Sequence, residues 1–223
     1  MDTTSVLRLE THTGVAHIWV DGQGQNRISI VPGANFALTP QDAIDEVGKL
    51  KNVSVLIAQC EIPQEVTLAA FRTAQDLGIT TILNPAPYQP LTDDLLELTD
   101  WLIPNEIEFA ELDHSHRAPD SDEIIASLRA KGRTIVTLGS EGAALVTLDG
   151  KVKRFIAKKV SAVDTTGAGD CFIGAFAAAL ASGATEDSAV QFGIDCATKS
   201  VTRKGAQSSY PKIEEIDFSL IVK

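Results

Sequence analysis

From residue 53 onward, short runs of β-branched and aliphatic residues alternate with stretches whose apolar residues recur at helical spacing. The strand-like runs cover residues 53–57, 80–83, 101–103 and 134–138. The helical patterns cover residues 66–77, 91–98, 107–112 and 124–129, and two longer ones follow Gly167 and Thr185. This alternation predicts an α/β fold, with a mostly parallel sheet and helices on both of its faces.

Two segments break this rhythm. Residues 142–157 predict a hairpin, with strands on either side of Asp149-Gly150, a dipeptide suited to tight hairpin turns. Residues 6–31 also predict strands, with 17–20 and 27–31 flanking a turn at 21–24. We expect this first hairpin to stand apart from the main sheet.

Composition and charge narrow the class of ligand. The chain has 223 residues, 44% of them hydrophobic, which is typical of a compact globular protein. Its net charge of −11 would repel nucleic-acid phosphates and anionic membrane surfaces. No apolar run approaches the roughly 20 residues of a membrane helix, and no secretory signal is recognisable. We therefore expect a cytosolic protein with a small-molecule ligand, and neither a nucleic-acid nor a membrane partner.

Cysteine and histidine give little sign of a metal site. Cys60, Cys171 and Cys196 are widely spaced and form no C-x-x-C pair, so we interpret them as reduced core thiols. His114 and His116 lie in the most polar loop of the chain, with no third ligand in view. Zinc sites generally need three or four ligands, so solvated side chains are the preferred interpretation.

A glycine-rich segment at residues 164–170 leads directly into an apolar helical pattern. The free N–H groups of a helix N-terminus converge and carry the positive end of the helix dipole, so they attract an anion such as a phosphoryl group. Asp170 would lie in the first turn, where it could accept the proton of an attacking hydroxyl. The alternative is an ordinary glycine-rich turn with a dipole-complementing aspartate, and spacing alone leaves both possibilities open.

The segment D-T-T-G-A-G-D-x-F at 164–172 resembles the signature of the ribokinase-like (PfkB) carbohydrate kinases. The resemblance extends over most of the chain, through N-P-A-P at 84–87, P-N-E-I-E at 104–108, T-L-G-S-E-G at 137–142 and V-T-R-K-G-A-Q at 201–207. With P-G-A-N at 32–35, these motifs are most similar to the ribokinase branch. The resemblance implies a three-layer α/β fold and an ATP-dependent phosphotransferase that acts on a sugar hydroxyl, with ribose as the first candidate.

The resemblance implies roles for individual residues of the transfer site. Asp170 matches the family's catalytic base, which also contacts the sugar, while Gly167, Ala168 and Gly169 match its anion hole. Glu61, which follows the first strand of the main sheet, matches a sugar-contacting glutamate.

The resemblance also implies a nucleotide and a magnesium site. Asn105 and Glu108 match the family's N-x-x-E element, which organises Mg²⁺ near the phosphates. The same pair is equally a helix N-terminal capping arrangement, and both roles can coexist. Ile194 matches a position that packs on adenine, although it could belong to the core alone. The loop that matches the family's nucleotide-binding loop consists of Thr137, Leu138, Gly139, Ser140, Glu141 and Gly142.

A potassium ion next to the anion hole is a further implication of the resemblance. In the family it is held largely by backbone carbonyl oxygens, which leave almost no side-chain signature. The matching positions are Asp164, Thr166, Ser200, Arg203, Gly205 and Ser209.

The resemblance divides the chain into a partial lid at residues 1–35 and a nucleotide-binding and catalytic domain at 36–223. Family members carry a preceding segment with an N-x-D sugar contact and a G-G-K-G-A-N type loop, and Met1 aligns with the middle of such a protein. We therefore expect this chain to bind ATP or ADP with Mg²⁺ but to phosphorylate ribose slowly. A homodimer through the lid is implied by the family and doubtful for a partial lid.

Three alternatives stay open at this point. One is a kinase for another sugar, such as fructose, or for a nucleoside. The second is a catalytically incomplete protein that binds nucleotide without turnover. The third is a dinucleotide-binding oxidoreductase, which the α/β rhythm permits. That class needs G-x-G-x-x-G between an early strand and its helix, and residues 167–172 lack the third glycine.

Overall fold

The structure, a computed structural model, describes residues 2–20, 26–113, 116–128 and 132–218. The strands are β1 (Val15–Val20), β2 (Asn26–Val31), β3 (Val55–Ala58), β4 (Thr80–Leu83), β5 (Trp101–Leu102), β6 (Arg133–Thr137), β7 (Ala143–Val146) and β8 (Val152–Phe155). The helices are α1 (Pro40–Gly48), α2 (Gln64–Asp76), α3 (Asp93–Glu97), α4 (Glu106–Leu112), α5 (Asp122–Ser127), α6 (Ala168–Ala181) and α7 (Glu186–Ser200).

Strands β3 to β8 form one six-stranded sheet in sequence order. The pairs from β3 to β6 are parallel, whereas β7 and β8 add to the edge as an antiparallel hairpin. The predicted mostly parallel sheet is therefore confirmed, and so is the hairpin around Asp149-Gly150. Because parallel strands end at the same edge, the loops after β3, β4, β5 and β6 meet there.

The sheet is covered on both faces, because successive strand residues point to opposite sides. On one face Ile82 and Ile135 pack with Phe172 and Phe176 of α6 and with residues of α7. On the other face the strands pack against α2 and α3 near β4 and β5, and against α4 and α5 near β6 and β7. The three-layer arrangement expected from the alternating pattern is confirmed.

The hairpin of β1 and β2 forms a separate two-stranded sheet, in antiparallel register from Val15 opposite Val31 to Val20 opposite Asn26. The turn predicted at 21–24 lies outside the described residues. The strand expected from residue 6 begins only at Val15. Residues 10–13 are mostly polar, and the carbonyl of His12 accepts from the N–H of Ala34 instead (2.9 Å). The boundary between lid and catalytic domain at residue 35 stays a prediction.

Local capping explains where several helices begin. Helix α1, for which no element was predicted, has Thr39 as its N-cap and Pro40 at its first position, and Asp42 completes a capping box. Thr92 and Ser121 cap the short helices α3 and α5. Both helices begin within two residues of the predicted patterns at 91–98 and 124–129, and α3 also ends within two residues of its pattern. Residue 129, where the other pattern ends, lies outside the described residues. No helix among the described residues is long and apolar enough to cross a membrane.

Candidate active site

The first turn of α6 presents free backbone donors. Gly167 is its N-cap at φ 75°, and no side chain caps this end. The N–H of Ala168 donates to the carbonyl of Thr165 (3.2 Å). The N–H groups of Gly169 and Asp170 donate to no acceptor among the described residues. Two uncompensated donors at the positive end of a 14-residue helix form an environment that favours an anion.

Gly167 cannot be exchanged for a larger residue without disturbing this turn. Its positive φ favours glycine, and a Cβ placed on it would lie 3.0 Å from the Oη of Tyr210 and 3.1 Å from the Cβ of Ala206. The turn therefore packs closely on the segment that follows α7.

Asp170 is exposed on the first turn of α6. Its charge raises the pKa values of neighbouring groups. Burial, followed by the charges of Asp170 and Cys171, raises the pKa of the Tyr210 phenol. Asp170 also contributes to the raised pKa of Glu108, whose main cause is burial. The structure thus brings Asp170 and Glu108 to one site, although they lie on helices from opposite faces of the sheet.

Asn105 and Glu108 form a complete capping box at the start of α4. The Asn105 side chain accepts from the N–H of Glu108 (2.9 Å), and Glu108 accepts from the Asn105 N–H (2.9 Å) and its Nδ2 (2.8 Å). Glu108 is only 8% exposed, and Asn84 lies 3.5 Å from its second oxygen. The capping interpretation is confirmed, and the pair leaves a buried carboxylate at the sheet edge.

The loop after β6 is a tight turn that leads into β7. The N–H of Leu138 donates to the carbonyl of Gly142 (2.9 Å). Gly142 has φ 106°, and a Cβ there would lie 2.0 Å from the carbonyl oxygen of Phe155. Only glycine fits, because β8 passes directly behind the turn.

A cavity of about 450 Å³ opens between this turn, the segment 157–162, α7 and the N-terminus of α6. The predicted residues that line it are Asn105, Thr137, Gly139, Ser140, Gly142, Ala168, Gly169 and Ile194. Leu138 and Glu141, predicted for the same loop, are not among the lining residues. Ile194 is 4% exposed and also belongs to the core cluster of α6 and α7, so it serves both packing and cavity.

Glu61 lies outside this cavity. It is exposed and follows Cys60, whose N–H donates to the carbonyl of Ala86 (2.9 Å). Burial raises the pKa of the Cys60 thiol, and the charges of Glu108 and Glu61 add to this effect. Glu61 therefore lies at the same sheet edge as Glu108, on the side away from the cavity.

Three segments meet beside the first turn of α6. One carboxylate oxygen of Asp164 accepts from the N–H of Thr166 (3.0 Å), and the other accepts from the N–H of Gly205 (2.9 Å). These bonds lower the pKa of Asp164 to about 2. Ser200 and Ser209 are each 1% exposed. The residues predicted to hold potassium are thus brought together, although they come from segments about 40 residues apart.

Arg203 makes a two-pronged ion pair with Glu215 through both of its terminal nitrogens. The guanidinium is the main cause that lowers the pKa of Glu215 to about 2. The Arg203 side chain is therefore engaged with the C-terminal segment, which leaves only its backbone carbonyl for a cation. Among the described residues, the carbonyl oxygens of Asp164, Thr166 and Gly205 accept no hydrogen bond.

Sequence reasoning missed the apolar wall of the cavity. Its residues on α7 and beyond recur at helical spacing with Ile194, namely Ala197, Thr198 and Val201, and this spacing was the available signal. The opposite wall comes from Ala157, Lys158, Val160 and Ala162, and Phe172 of α6 also lines the cavity.

The histidine loop is only partly described, since His114 lies outside the described residues. His116 has φ 51°, and its Nδ1 lies 3.8 Å from an oxygen of Glu111. Among the described residues, no group of three or more His, Cys, Asp or Glu side chains could hold a metal ion.

The chain is similar in sequence and in structure to several ribokinases. A ribokinase of Staphylococcus aureus is 37% identical over 227 residues, which cover 97% of this chain and 73% of that protein. The crystal structure of a Thermotoga maritima ribokinase matches with a TM-score of 0.81 at 41% identity and covers 94% of this chain and 70% of that one. The structure of an Arabidopsis thaliana ribokinase complexed with ribose and ATP matches with a TM-score of 0.82 at 30% identity. The match covers 92% of this chain and 68% of that one.

The model of the pfkB family of carbohydrate kinases matches residues 1–213. This match covers nearly the whole chain, and it agrees with the three-layer fold and with the anion-attracting turn before α6. The chain belongs to the pfkB family of carbohydrate kinases.

Proposed function

We propose that this chain is an ATP-dependent sugar kinase that transfers the γ-phosphate of ATP to D-ribose, giving D-ribose 5-phosphate and ADP. The observation that carries the proposal is the uncapped first turn of α6, where the N–H groups of Gly169 and Asp170 lack acceptors among the described residues. This turn lies at one end of the 450 Å³ cavity. The similarity to ribokinases supports ribose as the acceptor.

The turn before α6 would stabilise the charge that gathers on the transferred phosphoryl group. Its free donors, the N–H groups of Gly169 and Asp170, are fixed by the helix before the reaction, so little reorganisation is needed in the transition state. Asp170 would accept the proton of the attacking sugar hydroxyl and contact the sugar. Its exposed position in the first turn supports this role, because the carboxylate can reach a substrate beside the bound phosphate.

The cavity would hold the nucleotide. Its wall is largely apolar and includes Val160 and Ile194, and this suits the faces of an adenine ring. The turn from Thr137 to Gly142 would pass close to the nucleotide, and Gly139, which lines the cavity without a side chain, permits that approach.

Glu108, with Asn105, fits the role of organising a magnesium ion. Mg²⁺ keeps several waters and is usually bound through one or two carboxylates together with substrate phosphates, so one buried carboxylate beside the transfer site suffices. Burial raises the pKa of Glu108, and a neighbouring cation would offset the cost of its ionisation. When bound, the ion would neutralise charge on the phosphate oxygens.

A potassium ion would fit between the segments that meet at Asp164. The free carbonyls of Asp164, Thr166 and Gly205 are suitable oxygen donors, and Ser200, Arg203 and Ser209 would add theirs. Potassium should then raise the rate or the nucleotide affinity more than sodium does at equal ionic strength. Identical behaviour in the two salts would count against this site.

The sugar side would be formed by Glu61, Asp170 and the hairpin. Both faces of the hairpin carry exposed apolar residues, with Val15 and Trp19 on one face and Ile30 on the other. A sugar beneath one face and a second copy of the chain against the other would cover them. Sedimentation analysis at rising concentration tests the dimer, and a monomer at all concentrations would contradict it.

The decisive experiment exchanges the proposed base. Asp170→Asn should leave the Kd for ADP nearly unchanged while lowering ribose phosphorylation about 10²–10⁴-fold, the usual contribution of a positioned acid or base. Asp187→Asn is the matched control, because Asp187 lies in the first turn of the neighbouring helix α7 and is exposed. Near wild-type turnover by Asp170→Asn would defeat the assignment.

The acceptor is tested in the same assay. Ribose, fructose and inosine should be compared at equal concentration, with calorimetry for ADP and ribose binding on the same preparation. We expect the largest kcat/KM for ribose. A larger value for fructose or inosine would replace ribose as the substrate while leaving the kinase chemistry in place.

The role of Glu108 beyond capping is tested by Glu108→Gln. Glutamine keeps one oxygen for the Asn105 N–H, but its amide nitrogen would face the Nδ2 of Asn105, so the free energy of unfolding should fall by about 1–3 kcal/mol. The magnesium concentration for half-maximal activity should rise. Glu123→Gln in the first turn of α5 is the control, and an unchanged magnesium dependence in Glu108→Gln would leave capping as the only role.

A further inference from the structure

Tyr210 lies where the segment after α7 returns to the N-terminus of α6. It follows the 3-10 turn Gln207–Ser209, and its ring packs, partly buried, against the core cluster of α6 and α7. Its hydroxyl oxygen would lie 3.0 Å from a Cβ placed on Gly167. The hydroxyl is therefore in contact with the residue that heads the proposed anion hole.

The hydroxyl has no hydrogen-bond partner among the described residues, and Tyr210 as a whole is half-buried. It lies beside the turn whose Gly169 and Asp170 N–H groups also lack acceptors there. Three donors without acceptors among the described residues thus lie near one helix end. A group with several acceptor oxygens would satisfy them together, and a phosphoryl group has three.

A tyrosine phenol carries its proton throughout the neutral range, so the Tyr210 hydroxyl remains a donor there. A neutral donor can approach a phosphate without the repulsion that a tyrosinate would bring.

We propose that the Tyr210 hydroxyl is a further hydrogen-bond donor to the transferred phosphoryl group, alongside the N–H groups of Gly169 and Asp170. This inference rests on the proposed function, because it requires phosphoryl transfer at the start of α6. A donor of this kind contributes most when charge builds up on the phosphoryl oxygens, and less when only ADP is bound.

The test compares two probes by calorimetry, with ribose present: Mg-ADP alone, and Mg-ADP with aluminium fluoride, a mimic of the phosphoryl group in transit. In Tyr210→Phe the Kd for Mg-ADP should stay within about 2-fold of wild type. The extra affinity gained with aluminium fluoride should fall at least about 10-fold, since removal of a single oxyanion donor costs about that much or more. The turnover number should fall in parallel, with the KM for ATP little changed.

Ser208→Ala is the control, because it removes a hydroxyl of the same segment that bonds only the carbonyl of Lys204 (3.3 Å). It should leave both affinities unchanged. If Tyr210→Phe weakens both probes equally, the residue only packs, and the inference is overturned. If wild type gains affinity with aluminium fluoride and Tyr210→Phe keeps that gain, only this inference fails. If wild type gains none, the anion site of the proposed function fails with it.

Discussion

The hairpin of β1 and β2 exposes apolar residues, whereas the layer of α6 and α7 buries them. Phe176 of α6 is 0% exposed and makes an edge-to-face contact with Trp101 at 4.8 Å. Trp19 of the hairpin is 59% exposed and has a ring partner only in His17 at 6.3 Å among the described residues. The layer of α6 and α7 is stabilised by contacts within the chain, whereas the hairpin leaves apolar surface that a ligand or a partner could cover.

This difference has a functional meaning. The groups that must be held in fixed geometry, such as the first turn of α6, are attached to the most deeply packed part of the molecule. The two-stranded sheet of β1 and β2, by contrast, is held by the pairing of its own strands and exposes apolar side chains.

The strongest challenge to this comparison is Phe176→Ala. Truncation of a fully buried aromatic side chain between Trp101 and Phe172 leaves a cavity, and we expect the free energy of unfolding to fall by about 3–5 kcal/mol. Urea denaturation followed by circular dichroism measures it. A loss below about 1 kcal/mol would show that the α6–α7 layer is not the stabilising region.

Asp164 and Glu215, which lie near the α6–α7 layer, should make the stability of the protein depend on pH in the acid range. The pKa values of Asp164 and Glu215 are lowered to about 2 from usual values of 3.8 and 4.5. Their contribution to stability is therefore complete above about 4.5 and is lost as the pH falls towards 2.

We expect thermal unfolding midpoints to fall over that range and Asp164→Asn to flatten the fall. Both carboxylates are partly exposed, so added salt should weaken the effect. A pH profile that is the same in wild type and Asp164→Asn would show that the Asp164 to Gly205 contact contributes nothing to stability.

The smallest expected effect is that of Trp19→Ala. An exposed side chain with few contacts should change the free energy of unfolding by no more than about 0.5 kcal/mol at concentrations where the chain is monomeric. The same urea experiment measures it beside Phe176→Ala. A loss comparable to that of Phe176→Ala would mean that the hairpin is packed into the core after all.

Much of the fold followed from local patterns. The alternation of β-branched runs with helical spacing predicted the strands β3 to β6 and the helices between them, because these periodicities reflect which face each residue turns to the core. Asp149-Gly150 predicted the second hairpin through its turn chemistry. Helix α1 was missed even though Thr39, Pro40 and Asp42 carry a capping signal, since no strand-like run preceded it to mark its place.

The candidate site was predictable where its residues are adjacent in the sequence. The glycine-rich start of α6 and the Asn105 to Glu108 capping box each depend on contacts within a few residues, so the residue types and their spacing contain the information. The apolar wall of the cavity was harder to predict, because the apolar side chains of Ile194 and Val201 are equally typical of residues packed in a core.

The elements, the uncapped start of α6 and the place of Asp170 in its first turn depend on local backbone preferences and the helix dipole, so they can be read from the residues in order along the chain. Which distant residues share the site depends on the packing of the folded chain. Asp164 meets Gly205 across 41 positions, Tyr210 reaches Gly167, and the charge of Asp170 acts on Glu108 from across the sheet edge. Such contacts depend on how the two helical layers pack onto one sheet, and no local pattern encodes that packing.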